Sequence, residues 1–334
     1  MKVAELTGPG LDAISIADRE LAAVPPGAAL LKIKAASLNY RDVLVGKGFM
    51  PLSYPRIPLS DAVGEVVETG AGVTRVAIGD RVCPTYYPDW ISGDIAPEKF
   101  ARDRGAGSDG VAAEYLIVPE QELVKIPAHL TDVEAAALPC AGVTAWSAVT
   151  KNIALRPGNI VLIQGTGGVS LLALQFAVAS GAEVWLISSS DEKLARGKAL
   201  GAHHILNYRA TPEWGAAIIE QTGGRGVDLV VDVVGPGTIE QSLTALASNG
   251  RISQVGVLGG FAANLPIYPL MTKAAHVDGI ISGSRDGAEA MMQAIAHHKI
   301  HPVIDRSFAL SEISPALHYL EGQGHFGKVA IEIG

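Results

Sequence analysis

The feature that most constrains this chain is a glycine-rich segment at 165–170, Gly-Thr-Gly-Gly-Val-Ser. It follows an apolar stretch that predicts a strand at 159–164 and opens a stretch that predicts a helix at 168–180. A second strand is predicted at 183–187. In this context Gly165 permits a tight turn and Gly167 lets the backbone approach a pyrophosphate, while the helix N-terminus supplies free N–H groups. The segment predicts a dinucleotide-binding site, with a purely structural turn as the alternative.

The end of the second predicted strand indicates which dinucleotide is bound. An NAD site usually carries Asp or Glu there, about 20 residues after the loop, to bond the ribose 2′-hydroxyl. This chain has Ser188, Ser189 and Ser190 instead. The first two serines can donate to phosphate oxygens, and Lys193 can add positive charge. We therefore favour NADP over NAD. The alternative is that Ser190 only caps the next helix.

The rest of the chain shows two different patterns of predicted secondary structure. Before about residue 125, short β-rich segments at 3–6, 29–36, 62–69, 81–84 and 114–118 alternate with Gly/Pro turns, which is typical of a small barrel or rolled sheet. From Thr131, which forms a capping-box pattern with Glu134, apolar strands alternate with helices. That alternation predicts a parallel sheet covered by helices on both faces, hence an α/β protein.

Composition excludes several classes of function. The 334 residues suggest about two domains. With 34 acidic and 26 basic residues, a net charge of -8 and no run of Lys or Arg, we expect no nucleic-acid partner. No apolar stretch approaches the roughly 20 residues of a membrane span, so no membrane partner is expected either. Two cysteines, Cys83 and Cys140, cannot form a disulfide framework, and the reducing cytoplasm is the predicted location.

Several segments together carry a family resemblance. They lie at 36–42, 61–70, 79–82, 138–146, 165–170 and 327–329. Over essentially its whole length the chain resembles the medium-chain dehydrogenase/reductase superfamily, and within it the zinc-free quinone-oxidoreductase and enoyl-reductase branch. Members of this kind are often labelled alcohol dehydrogenase.

The resemblance implies a domain plan. A GroES-like, β-rich catalytic domain would span 1–128 and 266–334, interrupted by a Rossmann domain with a doubly wound parallel sheet at 129–265. The active site would lie in the cleft between them. The resemblance also implies a homodimer, often formed by edge strands of two Rossmann sheets, and the predicted strand at 277–282 is our candidate edge.

The zinc ligands of the family's alcohol dehydrogenases have little counterpart here. Asn39 and Tyr40 stand at the place of the first Cys–His pair, and Leu59-Ser60-Asp61 stands at the place of Gly-His-Glu. Only Cys140 survives, and no cysteine lies in the segment 86–109 that replaces the structural zinc lobe. One thiol beside a carboxylate is a poor site for a metal that favours nitrogen and sulfur ligands. We expect neither zinc site.

Without a Lewis acid, the protein must supply hydrogen bonds or a proton. We therefore predict NADPH-dependent hydride transfer to an activated C=C bond or a quinone. Tyr40 is the candidate proton donor or oxyanion stabiliser, Asn39 would orient substrate or the nicotinamide ribose, and Asp61 would hold their network. Metal-free carbonyl reduction or alcohol oxidation, NADPH binding without turnover, and a zinc dehydrogenase remain as alternatives.

The remaining site residues are cofactor contacts. Beside Ser188, Ser189 and Lys193, the glycine-rich loop and the resemblance together imply contacts from Thr144, Gly165, Thr166, Gly167, Gly168, Val169, Tyr208, Val257 and Phe326. The segment 86–109 is predicted to be a long loop, which either shapes the pocket or is a solvated insertion.

Overall fold

The structure is a computed structural model that describes all residues from 1 to 334. It divides into two compact units, which we call the first unit, Met1–Val143 with Gly283–Gly334, and the second unit, Thr144–Ser282.

The strands and helices are numbered in chain order. The strands are β1 (Lys2–Leu6), β2 (Ile14–Asp18), β3 (Ala28–Ser37), β4 (Asp61–Thr69), β5 (Arg81–Pro84), β6 (Tyr115–Pro119), β7 (Leu123–Lys125), β8 (Ile160–Gln164), β9 (Glu183–Ser188), β10 (His204–Asn207), β11 (Val227–Asp232), β12 (Leu246–Gln254), β13 (His276–Gly279), β14 (Ile304–Ala309) and β15 (Lys328–Glu332). The helices are α1 (Tyr40–Gly46), α2 (Pro97–Phe100), α3 (Asp132–Ala136), α4 (Val143–Thr150), α5 (Gly168–Ala179), α6 (Asp191–Ala199), α7 (Trp214–Gln221), α8 (Ile239–Ala245), α9 (Ile267–Thr272), α10 (Arg285–His298) and α11 (Ile313–Glu321).

The first unit is built on a seven-stranded sheet. Its strand order is β14-β15-β3-β4-β5-β7, and β6 pairs with the free part of β3. All these pairings are antiparallel except that of β14 with β15. The central strand β3 is almost wholly buried, because its ten residues are mostly Ala, Leu and Ile. The β-rich character predicted for this part of the chain is therefore observed, although β2, β14 and α11 were not predicted from the sequence.

The second unit contains a six-stranded sheet with the order β10-β9-β8-β11-β12-β13. Every pairing in it is parallel. Counted along the chain this is the order 3-2-1-4-5-6, which is that of the doubly wound dinucleotide-binding fold. In such sheets ligands bind beyond the carboxyl ends of the strands where the order reverses, here between β8 and β11. The glycine-rich segment follows β8 at this point.

The boundaries between the two units lie later in the chain than predicted. They follow Val143 and Ser282 rather than residues 128 and 265. At the first boundary, Thr131 caps α3 as predicted, accepting from the Glu134 N–H at 3.4 Å. However, α3 packs against β3 and β4 and so belongs to the first unit. At the second boundary, β13 pairs with β12 and completes the parallel sheet. Its pairing keeps residues up to Ser282 in the second unit.

The segment 86–109 is mostly irregular, as predicted. Its two ends are mostly buried, whereas residues 92–102 are mostly exposed. Tyr86, Tyr87 and Trp90 are buried against one another. Arg104 is also buried and forms an ion pair with the buried Glu122.

No helix in the structure is long and apolar enough to cross a membrane.

Candidate active site

Three stretches of the first unit meet in one hydrogen-bonded network. Asn39 precedes α1, Ser60 directly precedes Asp61 at the start of β4, and Cys140 lies in a helical turn after α3. The Asn39 side-chain amide donates to the Ser60 hydroxyl at 3.4 Å, and that hydroxyl donates to Asp61 Oδ1 at 2.7 Å. Asp61 Oδ2 accepts from the Cys140 backbone N–H at 2.9 Å. The sequence positions that correspond to zinc ligands therefore lie together.

A lysine that the sequence reasoning did not select completes this network. Lys328, the first residue of β15, is only 4% exposed. Its ammonium donates to Asn39 Oδ1 at 2.6 Å and to the Leu38 carbonyl. Burial lowers the pKa of Lys328, while Asp61 and Asp42 oppose this effect. The available signal was a lone lysine at the head of the apolar run Val-Ala-Ile, whose position inside the fold the sequence does not reveal.

The other residues of α1 differ in their surroundings. Tyr40, its first residue, is half-buried. Asp42 is buried and accepts from the Asn39 backbone N–H at 2.7 Å. Burial raises the pKa of Asp42 to about 6, against the opposing effect of Arg41. Arg41 itself pairs with Asp103. Arg41 is therefore a salt-bridge residue, and Tyr40 is a half-buried tyrosine that follows Asn39 in the chain.

The backbone before Ser60 is strained. Leu59 has a φ of 68° although it is not a glycine, and it is buried. A leucine in this left-handed region is unusual and persists where the surroundings impose it. Gly110 lies so close that a Cβ there would stand 2.1 Å from the Leu59 carbonyl oxygen. This close approach holds the turn that delivers Ser60 and Asp61 to the network.

The side chains at this place do not fit a zinc ion. Asn39 and Ser60 supply neutral oxygen and nitrogen atoms, and burial raises the pKa of the Cys140 thiol, which opposes the thiolate that zinc requires. No group of three or more His, Cys, Asp or Glu side chains that could hold a metal ion occurs in the structure. The Lys328 ammonium is a positive charge already placed beside Asn39.

In the second unit, the glycine-rich loop has the geometry of a phosphate site. Gly165 has a φ of 73°, and its N–H donates to the Ile187 carbonyl at 2.8 Å. Gly167 precedes α5, and a Cβ there would meet no atom within 4 Å, so the space in front of the loop is open. Ser170 is buried and donates to the Gln164 carbonyl at 2.7 Å, which ties the helix to the strand. These features fit a bound pyrophosphate.

The candidates for the adenosine end follow neighbouring strands. Ser188 is the buried last residue of β9 and pairs in register with Asn207 of β10. Its carbonyl accepts from the Tyr208 N–H at 3.1 Å. Ser190 caps α6, its hydroxyl accepting from the Lys193 N–H at 3.3 Å, so the capping interpretation holds for this serine.

Three of the predicted cofactor contacts lie outside the glycine-rich loop and outside the segments that follow β9 and β10. Thr144 is buried in the first turn of α4, and Val257 is exposed after β12. Phe326 belongs to the first unit and is buried. Its backbone N–H donates to Asp305 at 3.1 Å. The remaining loop residues, Thr166, Gly168 and Val169, lie with Gly165 and Gly167 at the start of α5.

Sequence reasoning also missed the buried carboxylate of Asp232. It ends β11 and accepts from the side chains of Gln164 at 3.1 Å and Ser242 at 2.8 Å. It also accepts from the Gly235 N–H at 2.8 Å. The sequence feature that could have identified it is an acidic residue directly after the apolar run 229–231. The network joins the end of β8 to the turn after β11.

Comparison with known proteins agrees with this architecture. Residues 25–128 match the alcohol dehydrogenase GroES-like domain, and residues 168–297 match the zinc-binding dehydrogenase family. A zinc-type alcohol dehydrogenase-like protein of Schizosaccharomyces pombe is 40% identical over 318 residues, which are 92% of this chain and 91% of the relative. The chain belongs to the medium-chain dehydrogenase/reductase superfamily. It is an NAD(P)-dependent oxidoreductase with a GroES-like domain and a Rossmann-like domain.

Other members of the superfamily have different names. An acryloyl-coenzyme A reductase of Metallosphaera sedula is 32% identical over 314 residues, 91% of this medium-chain dehydrogenase/reductase and 92% of the relative. A solved structure from Sinorhizobium meliloti, described as an alcohol dehydrogenase, is 41% identical with a TM-score of 0.91, covering 96% of this chain and 94% of its own. By name, the relatives thus include both an acryloyl-coenzyme A reductase and alcohol dehydrogenases.

Proposed function

We propose that this chain uses NADPH to reduce an activated C=C bond, as in an enone or enoyl compound, or a quinone, and that it does so without zinc. The observation that carries the proposal is a hydrogen-bonded network. Asn39, Ser60 and Asp61 stand at positions that correspond to the family's zinc ligands, and the Lys328 ammonium donates to Asn39.

The chemistry of the two candidate reactions separates them. Oxidation of an alcohol develops alkoxide charge, which a metal ion stabilises. Reduction of a conjugated C=C bond or a quinone leaves charge on an enolate or hydroquinone oxygen, which hydrogen-bond donors can stabilise. Asn39 offers an amide N–H and Tyr40 offers a hydroxyl in the same part of the first unit. These are the groups that suit the second reaction.

We assign the roles as follows. The Tyr40 hydroxyl is the proton donor or oxyanion donor, the Asn39 amide orients the substrate oxygen, and Asp61 anchors the network. Gly165, Gly167 and the first turn of α5 hold the pyrophosphate. Ser188, Ser189, Lys193 and Tyr208 hold the 2′-phosphate end, while Thr144, Val257 and Phe326 complete the cofactor contacts. Bound NADPH supplies the hydride.

The alternative is metal-free reduction of aldehydes and ketones, or oxidation of alcohols. The names of the Schizosaccharomyces pombe and Sinorhizobium meliloti relatives favour alcohol dehydrogenase chemistry, although the first is named as a zinc-type protein. The acryloyl-coenzyme A reductase favours the enoyl assignment. NADPH binding without turnover is a third candidate that the same assay addresses.

NADPH consumption by the purified chain, followed by absorbance, tests the proposal with quinones, enones and simple aldehydes in parallel. We expect consumption with enones or quinones, unaffected by prior dialysis against a chelator, and slower consumption with NADH. Consumption with aldehydes alone would establish the carbonyl-reductase alternative, and tight NADPH binding with no consumption would establish the third. Stoichiometric zinc in the active protein would contradict the metal-free assignment.

We also propose that the protein forms a homodimer in which two copies associate along β13. We expect it to be located in the cytoplasm. Strand β13 is an edge of the parallel sheet, so one side of its backbone is unpaired. Val277 on the strand and Ile281 just after it are exposed, as are Tyr268 and Met271 of α9 at 77% and 70%. Two copies of one edge can pair about a two-fold axis. Light scattering should give a dimer for the wild type and a monomer for Val277→Lys.

A further inference from the structure

The hydrogen bonds around Asn39 have a direction. An ammonium carries three donors and no acceptor, so the Asn39 atom that lies 2.6 Å from Lys328 Nζ must be the amide oxygen. The amide nitrogen is then turned toward Ser60, 3.4 Å away. At the other end, Asp61 as a carboxylate only accepts, and it takes the Ser60 hydroxyl proton at 2.7 Å. Lys328 at one end and Asp61 at the other therefore fix the orientation of every group between them.

In this orientation one N–H group of the Asn39 side-chain amide is not used within the network. A primary amide nitrogen carries two N–H groups, and the Asn39 nitrogen uses one of them on Ser60. Asn39 is half-buried, whereas Ser60, Asp61 and Lys328 are buried. If the amide were rotated by 180°, its carbonyl oxygen would take the place of its nitrogen and would repel an anionic oxygen there. The lysine prevents that rotation, because it cannot accept a hydrogen bond from the amide N–H groups.

We propose that Lys328 is a positioning residue, which holds the Asn39 amide so that its remaining N–H faces the substrate oxygen that becomes negatively charged during reduction. The inference rests on the proposed function for the identity of the substrate, but its geometry concerns only residues of the first unit.

A phenolate probe tests the inference without turnover. 4-Nitrophenol is titrated into the protein saturated with NADP⁺, and the absorbance of its phenolate form gives the Kd of the anion. We expect the wild type to bind the phenolate, and both Lys328→Met and Asn39→Leu to weaken binding about tenfold to a hundredfold. The double variant should bind no more weakly than Asn39→Leu alone, because the lysine acts through the amide.

The contrary results are specific. A wild type that binds no phenolate, or a Lys328→Met variant with unchanged Kd, overturns the inference. So does a double variant whose loss equals the product of the two single losses, because the lysine would then act independently of Asn39.

A control at a half-buried lysine separates positioning from the general effect of removing an ammonium that donates to backbone carbonyls. The Lys273 ammonium, in the second unit, donates to the carbonyls of Leu243, Thr244 and Leu246 at 2.6–3.0 Å. Lys273→Met should lower Tm and leave the phenolate Kd unchanged within about twofold. An equal loss of phenolate binding in Lys273→Met would mean that the Lys328 effect is not specific.

Should Lys328→Met fail to fold, Asn39→Asp provides a second test. It keeps an oxygen for Lys328 but removes both amide N–H groups, so it should fold and lose phenolate binding. Unchanged binding in Asn39→Asp would overturn the inference. The proposed function fails separately, when the wild type binds the phenolate yet consumes no NADPH with enones or quinones.

Discussion

The side-chain amide of Gln164 donates to the carboxylate of Asp232 across 3.1 Å, joining the ends of two adjacent strands of the parallel sheet. The same carboxylate accepts from Thr238, Ser242 and the backbone of the turn after β11. Since these donors are mostly buried, they have no water to replace a lost partner. The Gln164–Asp232 pair therefore connects the phosphate loop after β8 with the turn beside it.

Asp232→Ala should lower the free energy of unfolding by about 3 kcal/mol or more, because it leaves several donors without an acceptor. Urea denaturation of wild type and variant measures the difference. Asp191→Ala is the control, since that exposed carboxylate accepts one side-chain bond from Asn207, and its effect should be about 0.5 kcal/mol. Equal effects of the two substitutions would contradict the assigned role of Asp232.

Ser188→Asp should weaken NADPH binding far more than NADH binding, because it places a carboxylate near the proposed 2′-phosphate position. Fluorescence titration with both cofactors measures this. Binding of NADH serves as the internal control, since Ser188 is buried and a general disruption of β9 would affect both cofactors. Equal losses for the two cofactors would remove Ser188 from the 2′-phosphate site.

Tyr40→Phe should slow turnover by about tenfold to a hundredfold while leaving NADPH affinity unchanged, if the hydroxyl acts only in the transition state. Steady-state kinetics with the accepted substrate and a cofactor titration separate the two effects. Tyr115→Phe removes the hydroxyl of another half-buried tyrosine, in β6, and should leave turnover unchanged. Turnover of Tyr40→Phe at the wild-type rate would exclude the hydroxyl from the mechanism.

Asp42 should make stability depend on pH below neutrality. Burial raises its folded pKa to about 6 from an ordinary value of 3.8, so the folded protein binds more protons than the unfolded chain between these values. Stability from this group is therefore present below pH 3.8 and is lost as the pH rises to about 6, by up to about 3 kcal/mol.

Thermal unfolding of wild type and Asp42→Asn across this pH range measures the contribution of Asp42. The difference in Tm between them should change in favour of the wild type at low pH, where its Asp42 carboxyl is protonated and neutral. It should change in favour of the variant near pH 7, where the wild-type carboxylate is charged and buried. If the Tm difference between wild type and Asp42→Asn does not vary with pH, Asp42 has the same pKa in the folded and the unfolded protein.

Much of the second unit could be predicted from local sequence. The strand before Gly165, the helix after it and the second strand are each marked by short runs of apolar residues and by glycine at the turn. The parallel arrangement of the strands then follows from the alternation of strands and helices, whereas their order in the sheet is known only from the structure. Helix caps are similarly local, as Thr131 and Ser190 show. The domain limits were less predictable, because α3 resembles a helix of the second unit and joins the first only by packing.

By itself, the sequence determined the dinucleotide fold, because that fold rests on residues close together in the chain. The resemblance of short segments to the family's zinc-ligand segments identified Asn39, Tyr40 and Asp61 as site candidates. Only the tertiary structure decided what stands among them. Lys328 lies 289 residues from Asn39, and its ammonium reaches the amide because β15 pairs with β3, the strand that leads into Asn39. Such a contact depends on strand pairing across the whole chain, which local residue patterns do not encode.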